Sequence, residues 1–347
     1  MPTLPIVIYS TRENDMGSTK YLGSMGTLSR KDNTLYFKKA DKGIHIPVEN
    51  VKEIYCFNEV SLNTKLLDFL SRNNIILHVF NYYGNYSGTF YPKDKYMSGK
   101  LIIEQARAYD TRRINIAKGI VRGIGINIYT VLEHYQKHGK TEVSVVMRYI
   151  KNEFMDKIDK AYDIEHLMQV EGDVWYQFYQ MFKYILPEEF IMNKRVKRPP
   201  DNPINALISF GNTMLYTKIN TIIYHTHLDQ RISFLHTPTE RRFSLSLDIS
   251  EAFKPAIVFK TIFELVNRKK LQVDKHFDKE LNYCMLNEAG RNIFIQAFEE
   301  RLDSVFEHPK LKRKISYRHA IKLDCYKLIK VILEDKEFVP FSMEEKL

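Results

Sequence analysis

The sequence predicts an α+β fold, with a small N-terminal mostly-β domain followed by a larger all-α domain. Three observations carry this. Short apolar or alternating runs, broken by turn residues, crowd the first 90 positions. Apolar residues recur at helical spacing from Ser98 to about Glu337. The two patterns meet at a polar joint, Pro92–Lys93–Asp94–Lys95. The boundaries are then 1–90 for the β domain with one helix, 91–97 for a linker, 98–337 for the helical domain and 338–347 for a C-terminal tail. A chain of 347 residues also favours two units over one simple core.

Pro5–Ile8 is an apolar run. Gly26–Arg30 and Thr34–Phe37, joined through Lys31–Asp32–Asn33, read as a hairpin. His45–Val48 and Val51–Phe57 supply further strands. Ser61 has the chemistry of an N-cap before Leu62, Leu66, Leu67 and Leu70, a helix that ends near Asn73–Asn74. Ile75–Phe80 and Ser87–Tyr91 resume strand patterning.

Leu101–Tyr135 reads as one long helix with Asn127 in an apolar stretch. Gly123 and Gly125 weaken it by ~1 kcal/mol each. Glu171 opens a second helical run, EGDVWYQFYQMFKYIL, with Trp175, Phe178, Phe182 and Ile185 as its apolar stripe. Glu171 shares the Trp175 face, and a carboxylate facing a core must be neutralised, paired or metal-bound. In a first turn it could instead face solvent and favour the helix dipole. Spacing alone leaves both readings open.

Lys194, Arg195, Lys197 and Arg198 precede Pro199–Pro200, a stiff basic loop suited to phosphate contact or to a solvated linker. Asn202 and Asn205 lead into a helix with Leu207, Phe210, Met214 and Ile222 inward. His225-Thr226-His227-Leu228-Asp229 fits a helix end better than a zinc site. A last helix starts at Ser316 and carries Arg318, Lys322, Lys327 and Lys330.

The stretch Ile232–Pro255 is the most informative. Phe243–Leu247 alternates as a short extended run, Asp248 ends it, and Glu251 onward has helical spacing. His236 with Asp248 and Glu251 offers imidazole and carboxylate, a ligand set for Mn²⁺ or Mg²⁺. Asp248 and Glu251 also match a capping box, in which both serve only a helix end.

Lys and Arg exceed Asp and Glu by 52 to 42, so the net charge of +10 favours polyanionic partners, nucleic acid before membrane. Cys56, Cys284 and Cys325 stand far apart: three are too few for a disulfide framework, and the lack of a CxxC pair argues against a zinc knuckle. The N-terminus has no signal-peptide pattern, and no apolar run of about 18 residues spans a bilayer. A cytoplasmic protein without a membrane partner is expected.

Four segments, SGKLIIEQARAYD, MQVEGDVWYQFY, RVKRPPDNPINALISFGNTMLYT and HTPTERRFSLSLDISEAFKP, resemble in order the Cas-one family of CRISPR-associated integrase-endonucleases of spacer acquisition. The resemblance runs over nearly the whole chain. It implies a β domain followed by a helical catalytic domain. It implies that Glu171, His236 and Glu251 are the ligands of one Mg²⁺ or Mn²⁺, with Asp248 auxiliary. It further implies metal-dependent phosphoryl transfer on double-stranded DNA, both the captured fragment and the CRISPR repeat, by a homodimer assembled with the Cas-two protein. The alternatives are a nuclease of branched or single-stranded DNA without integration, and a non-catalytic DNA-binding scaffold. Basic residues placed for DNA contact are Lys194, Arg195, Lys197, Arg198, Arg241, Arg242 and Arg318. The chain departs from the family pattern at Lys254, where Arg usually precedes the proline, and at Ile124, where Lys is frequent.

Overall fold

The computed structural model describes residues 7–9, 17–40, 42–81, 83–93, 96–238, 243–280, 283–308 and 311–343. The N-terminal region is two packed sheets. One has the order β1 (Val7–Tyr9), β2 (Ser18–Leu22), β6 (Val51–Cys56), β8 (Ile76–Phe80), β9 (Tyr86–Phe90), with parallel β2/β6 and β6/β8 pairs and antiparallel edges. The other is β5 (Lys42–Ile46), β4 (Thr34–Lys39), β3 (Gly26–Lys31), β7 (Val60–Ser61). The β3–β4 hairpin turns at Asp32–Asn33, with Asp32 at φ 54°, a conformation that Asp tolerates better than most residues. The helix expected after Ser61 is α1 (Thr64–Arg72). Its N-cap is Asn63, whose side chain accepts from the Leu66 N–H, while Ser61 ends a strand. Leu62 therefore lies outside the helix and is 38% exposed.

The alternation of β6 explains how the sheets meet the rest of the chain. Ile54 and Cys56 face the sandwich interior with Leu28, Phe37, Leu66 and Leu70. Glu53 and Tyr55 point the opposite way, as period 2 requires. That face is covered by helices, so its polar groups had to find partners. Lys218 contacts Glu53, lies 3.0 Å from Glu299 and donates to Thr19 at 2.8 Å. Thr221 donates to Glu53 at 2.6 Å, and Tyr21 donates to Glu299 at 2.5 Å. Burial works against the Glu53 charge, but Lys218 and His78 outweigh it and hold its pKa well below the usual range.

The helical body contains α2 (Gly99–Lys137), α3 (Ser144–Tyr149), α4 (Met155–Lys160), α5 (Ile164–Gln180), α6 (Phe182–Ile185) and α7 (Pro203–Tyr224). It continues with α8 (Ser244–Phe253), α9 (Lys260–Asn267), α10 (Val273–His276), α11 (Glu288–Asp303) and α12 (Tyr317–Glu334). Two small hairpins, β10 (Phe277–Glu280) with β11 (Tyr283–Leu286) and β12 (Val305–His308) with β13 (Arg313–Ser316), are inserted in this half. Lys194, Lys197 and Arg198 are exposed on the loop before α7. His225 caps the end of α7, as expected.

Two expectations need correction here. Arg318 was placed for DNA contact, but it is 4% exposed and bound to Glu299 at 2.6 Å and Asp303 at 2.9 Å. Its guanidinium balances the buried Glu299 and the half-buried Asp303, which leaves it nothing for a phosphate. The segment 338–347 was expected to be a tail, yet Phe338 and Phe341 are buried. Phe341 stacks on Phe253 of α8 with centroids 4.5 Å apart, and its N–H donates to Asp324 at 2.6 Å. Asn127 joins this strap to α8: its Nδ2 donates to Ala252 O and Phe341 O, and its Oδ1 accepts from Met343 N–H. The helix glycines permit the approach, since a Cβ on Gly119 would fall 2.2 Å from Phe338 O. Residues 344–347, like Arg241 and Arg242, lie outside the described residues.

Lys218→Met removes the ammonium shared by two buried carboxylates, leaving Glu53 to His78 and hydroxyl donors and Glu299 to Arg318, so a loss of about 3 kcal/mol is expected in urea unfolding. A loss below about 1 kcal/mol would mean that Glu53 and Glu299 do not rely on the ammonium. Asn127→Ala leaves the Ala252 and Phe341 carbonyls without this donor, which costs about 2 kcal/mol or more. The same variant should open the C-terminal segment to carboxypeptidase, and digestion at the wild-type rate would count against the strap.

Candidate active site

The extended run expected at Phe243–Leu247 is the first part of helix α8. Its N-terminus is tied to the preceding loop, with Leu245 N–H donating to Gln230 O at 3.1 Å and Ser244 Oγ to Arg231 O at 2.8 Å. Every residue from Leu245 to Phe253 except Leu247 is buried, so neighbouring segments cover this helix nearly all round. The two-residue alternation of a short segment cannot report that, which is why it resembled a strand. Asp248 and Glu251 accordingly lie inside the helix, and neither caps it.

Asp248 turns to the loop beneath α8. Its Oδ2 accepts from Phe234 N–H at 2.5 Å and Leu235 N–H at 2.9 Å. Its Oδ1 accepts from His236 N–H at 3.0 Å and lies 2.9 Å from His236 Nδ1. Arg113 of α2 holds the same loop, donating to Phe234 O at 2.8 Å and to Thr237 Oγ1 at 2.9 Å. With Nδ1 engaged by the carboxylate, Nε2 is the nitrogen presented onward, 3.9 Å from Glu251 Oε1. Burial opposes a charged His236, but the Asp248 hydrogen bond and the Asp248 and Glu251 charges raise its pKa above the ordinary value.

Glu251 Oε1 is contacted by Lys254, three residues on, while Glu251 Oε2 is buried without a hydrogen-bond partner. Lys254 is 8% exposed and lies against the Tyr216 ring at 5.3 Å and the Trp175 ring at 5.7 Å. Glu171 comes from α5. This helix begins at Asp163, whose side chain accepts from His166 N–H, so Glu171 is mid-helix and the first-turn reading fails. Burial first, then the neighbouring charge of Glu251, push the Glu171 carboxyl up to about 7.

The donor chemistry fits a divalent cation. An imidazole nitrogen of fixed tautomer, a carboxylate oxygen without a partner and a second carboxyl that resists ionising beside the first all favour added positive charge. Among the described residues, however, no three such groups form a ready cation site, and Glu251 is already engaged by Lys254.

Of the basic loop, Lys197 senses this cluster: burial, then the Arg195 and Lys254 charges, lower its pKa, while Glu171 and Glu251 oppose them. Arg195 instead braces the loop, donating to Asn205 Oδ1 at 3.0 Å and Ser209 Oγ at 2.9 Å. Tyr216 and Arg113 were not singled out from the sequence. A tyrosine and an arginine at helical spacing carry no mark of what they face. The three-residue step from Glu251 to Lys254 was the one available signal for that pair.

Comparison with known proteins defines the class first. A solved structure of a CAS1 protein from Thermotoga maritima matches with a TM-score of 0.82 at 39% identity, over 94% of this chain and 100% of that one. A chain of a Cas6-RT-Cas1–Cas2 complex matches with a TM-score of 0.83 over 98% of this chain and 37% of that one, and at 19% identity the likeness is one of fold. The CRISPR-associated endonuclease Cas1 2 of Thermodesulfovibrio yellowstonii is 46% identical over 329 residues, 94% of this chain and 99% of that protein. The family model described as CRISPR associated protein Cas1 matches residues 21–300. The chain belongs to the Cas1 family, the endonucleases of CRISPR adaptation, which are typically metal-dependent. Among the described residues no helix is long and apolar enough to cross a membrane.

The raised Glu171 pKa sets a pH dependence. In the metal-free protein, folding favours the neutral carboxyl. That contribution is complete below the ordinary value of 4.5 and is lost as pH rises through about 7. Glu171→Gln should therefore stabilise the metal-free protein at pH 8 by on the order of 1–2 kcal/mol, with a smaller gain at pH 5. Thermal unfolding in EDTA at both pH values checks this, and an equal effect at each would contradict it.

Proposed function

We propose that the protein is a metal-dependent DNA integrase and endonuclease, acting in the cytoplasm to insert captured double-stranded fragments as new spacers at a CRISPR array. The observation that carries the reading is the α8 constellation, in which Asp248 fixes His236 so that Nε2 faces Glu251, with the electrostatically coupled Glu171 contributed by α5.

Glu171, His236 and Glu251 are the residues that would hold Mg²⁺ or Mn²⁺. Such an ion, if held by these residues, would supply Lewis-acid polarisation of a phosphate oxygen and charge stabilisation at the attacking or leaving oxygen. Asp248 keeps the proton on His236 Nδ1 and leaves Nε2 available. Lys197 supplies an exposed cation beside the site for the DNA backbone, Lys194 and Arg198 lie on the same loop, and Arg241 and Arg242 lie just before α8 in sequence. No protein nucleophile is required. The incoming oxygen is the fragment's 3′-hydroxyl in integration and water in hydrolysis. A homodimer assembled with a Cas2 protein, the partner named for the complex matched above, would hold both fragment ends.

The test mixes purified protein and Cas2 with 3′-hydroxyl duplexes and a supercoiled CRISPR plasmid. Strand-joined product should require Mg²⁺ or Mn²⁺, fall at least a hundredfold in Glu171→Ala, His236→Ala and Glu251→Ala, and disappear with 3′-dideoxy ends. Full activity in all three variants would refute the assignment. Metal-dependent cleavage without joining would leave a nuclease.

A further inference from the structure

The Lys254–Glu251 contact raises a question that the triad alone does not answer. Glu251 would be a metal ligand, yet one of its oxygens already has a cation on it. The other oxygen is buried and has no hydrogen-bond partner. The engaged oxygen, Oε1, is also the one that faces His236 Nε2 at 3.9 Å. The Lys254 ammonium thus sits beside the position where imidazole and carboxylate converge.

We propose that Lys254 is a tethered stand-in for the divalent ion: its ammonium neutralises Glu251 in the metal-free protein and must leave that oxygen for the ion to bind, so Lys254 sets the affinity of the site for metal. The inference rests on the metal reading of Glu171, His236 and Glu251 above.

Three features support it. A buried carboxylate without a counter-charge is costly, so the metal-free fold needs a cation at Glu251. The ammonium has somewhere to go, because the Tyr216 and Trp175 rings already flank it within cation–π range. The exchange needs only side-chain rotation, since Lys254 and Glu251 are one helical turn apart and the Lys254 backbone stays bound through its N–H to Ser250 O at 2.9 Å. Lysine suits this role better than an arginine would. A compact ammonium on a flexible stem releases one oxygen, whereas a guanidinium grips both.

The experiment titrates Mn²⁺ into the purified full-length protein without DNA and reads free Mn²⁺ by electron paramagnetic resonance. Lys254→Met should lower the Mn²⁺ Kd at least tenfold relative to wild type. Lys197→Met removes a nearby charge that does not touch Glu251, so it should change Kd less than threefold. Lys254→Gln serves as a second uncharged variant should the methionine variant not fold, with the same tenfold shift expected. Mn²⁺ bound equally by wild type and both Lys254 variants overturns the inference and leaves the metal reading standing. A Lys197→Met shift as large as that of Lys254→Met also overturns it, because the effect is then one of general charge. Absence of Mn²⁺ binding that depends on Glu251, read from Glu251→Gln, in wild type and Lys254 variants alike overturns the metal reading and the inference together.

Discussion

The geometry of the site depends on one carboxylate turned inward from the middle of a helix. Asp248 accepts three backbone N–H groups and the imidazole of His236, so both its oxygens are used and its charge is met by dipoles rather than water. Charge-assisted bonds of this kind are the stronger hydrogen bonds of a fold. They bend residues 234–236 around the carboxylate and fix which ring nitrogen is presented. Without Asp248 the loop has three buried donors to satisfy and the ring has no preferred tautomer. The arrangement of His236 relative to Glu251 is a consequence of that anchor.

A second dependence ties the β region to the same place. Glu53 of β6, Glu299 of α11 and Lys218 of α7 meet where a sheet face is buried by helices. Two residues before Lys218 on the same helix is Tyr216, whose ring flanks Lys254. The joint that fixes α7 against the sheet therefore also fixes one wall of the candidate site. Burying such charges carries a large desolvation cost, offset only when every group is paired. The threonines and tyrosines around Glu53 complete that pairing. Their role is specificity of docking between sheet and helix, because an apolar contact would tolerate sliding that this network does not.

Much of this was legible in the sequence, and the rest has physical reasons for being hidden. Most strands of the β region, the long α2 helix and the inward stripe of α5 follow from apolar period, which holds where one face is buried and the other wet, whereas Ser18–Leu22 and the two hairpins inside the helical half were not read. Glu171, His236, Asp248 and Glu251 were singled out through their residue types and the resemblance of the surrounding segments. The strand character of Phe243–Leu247 misled because a helix buried nearly all round has no polar face to set its period. Arg318 misled because charge was read as exposure, and only tertiary structure reveals that Glu299 and Asp303 lie against it. The strap at 338–343 was hidden because its anchors, Asn127 and Asp324, lie far away in sequence.

That strap bears on why α8 can hold its charges at all. Proline at position 255 has no N–H, so it cannot continue the bonding pattern of α8, and residues Pro255–Phe259 widen into a π-helical turn. Such a change frees carbonyls at the end of the preceding helix. Ala252 O, between Glu251 and Lys254, is taken up by Asn127 from α2, and the same amide binds Phe341 and Met343. Phe341 then stacks on Phe253, the last residue of α8. Pro255 thus ends the α-helical bonding pattern immediately after Lys254, while Asn127 and the strap hold that junction. Acids and ammonium along a short helix are held in place by an amide and an aromatic stack at its C-terminal end.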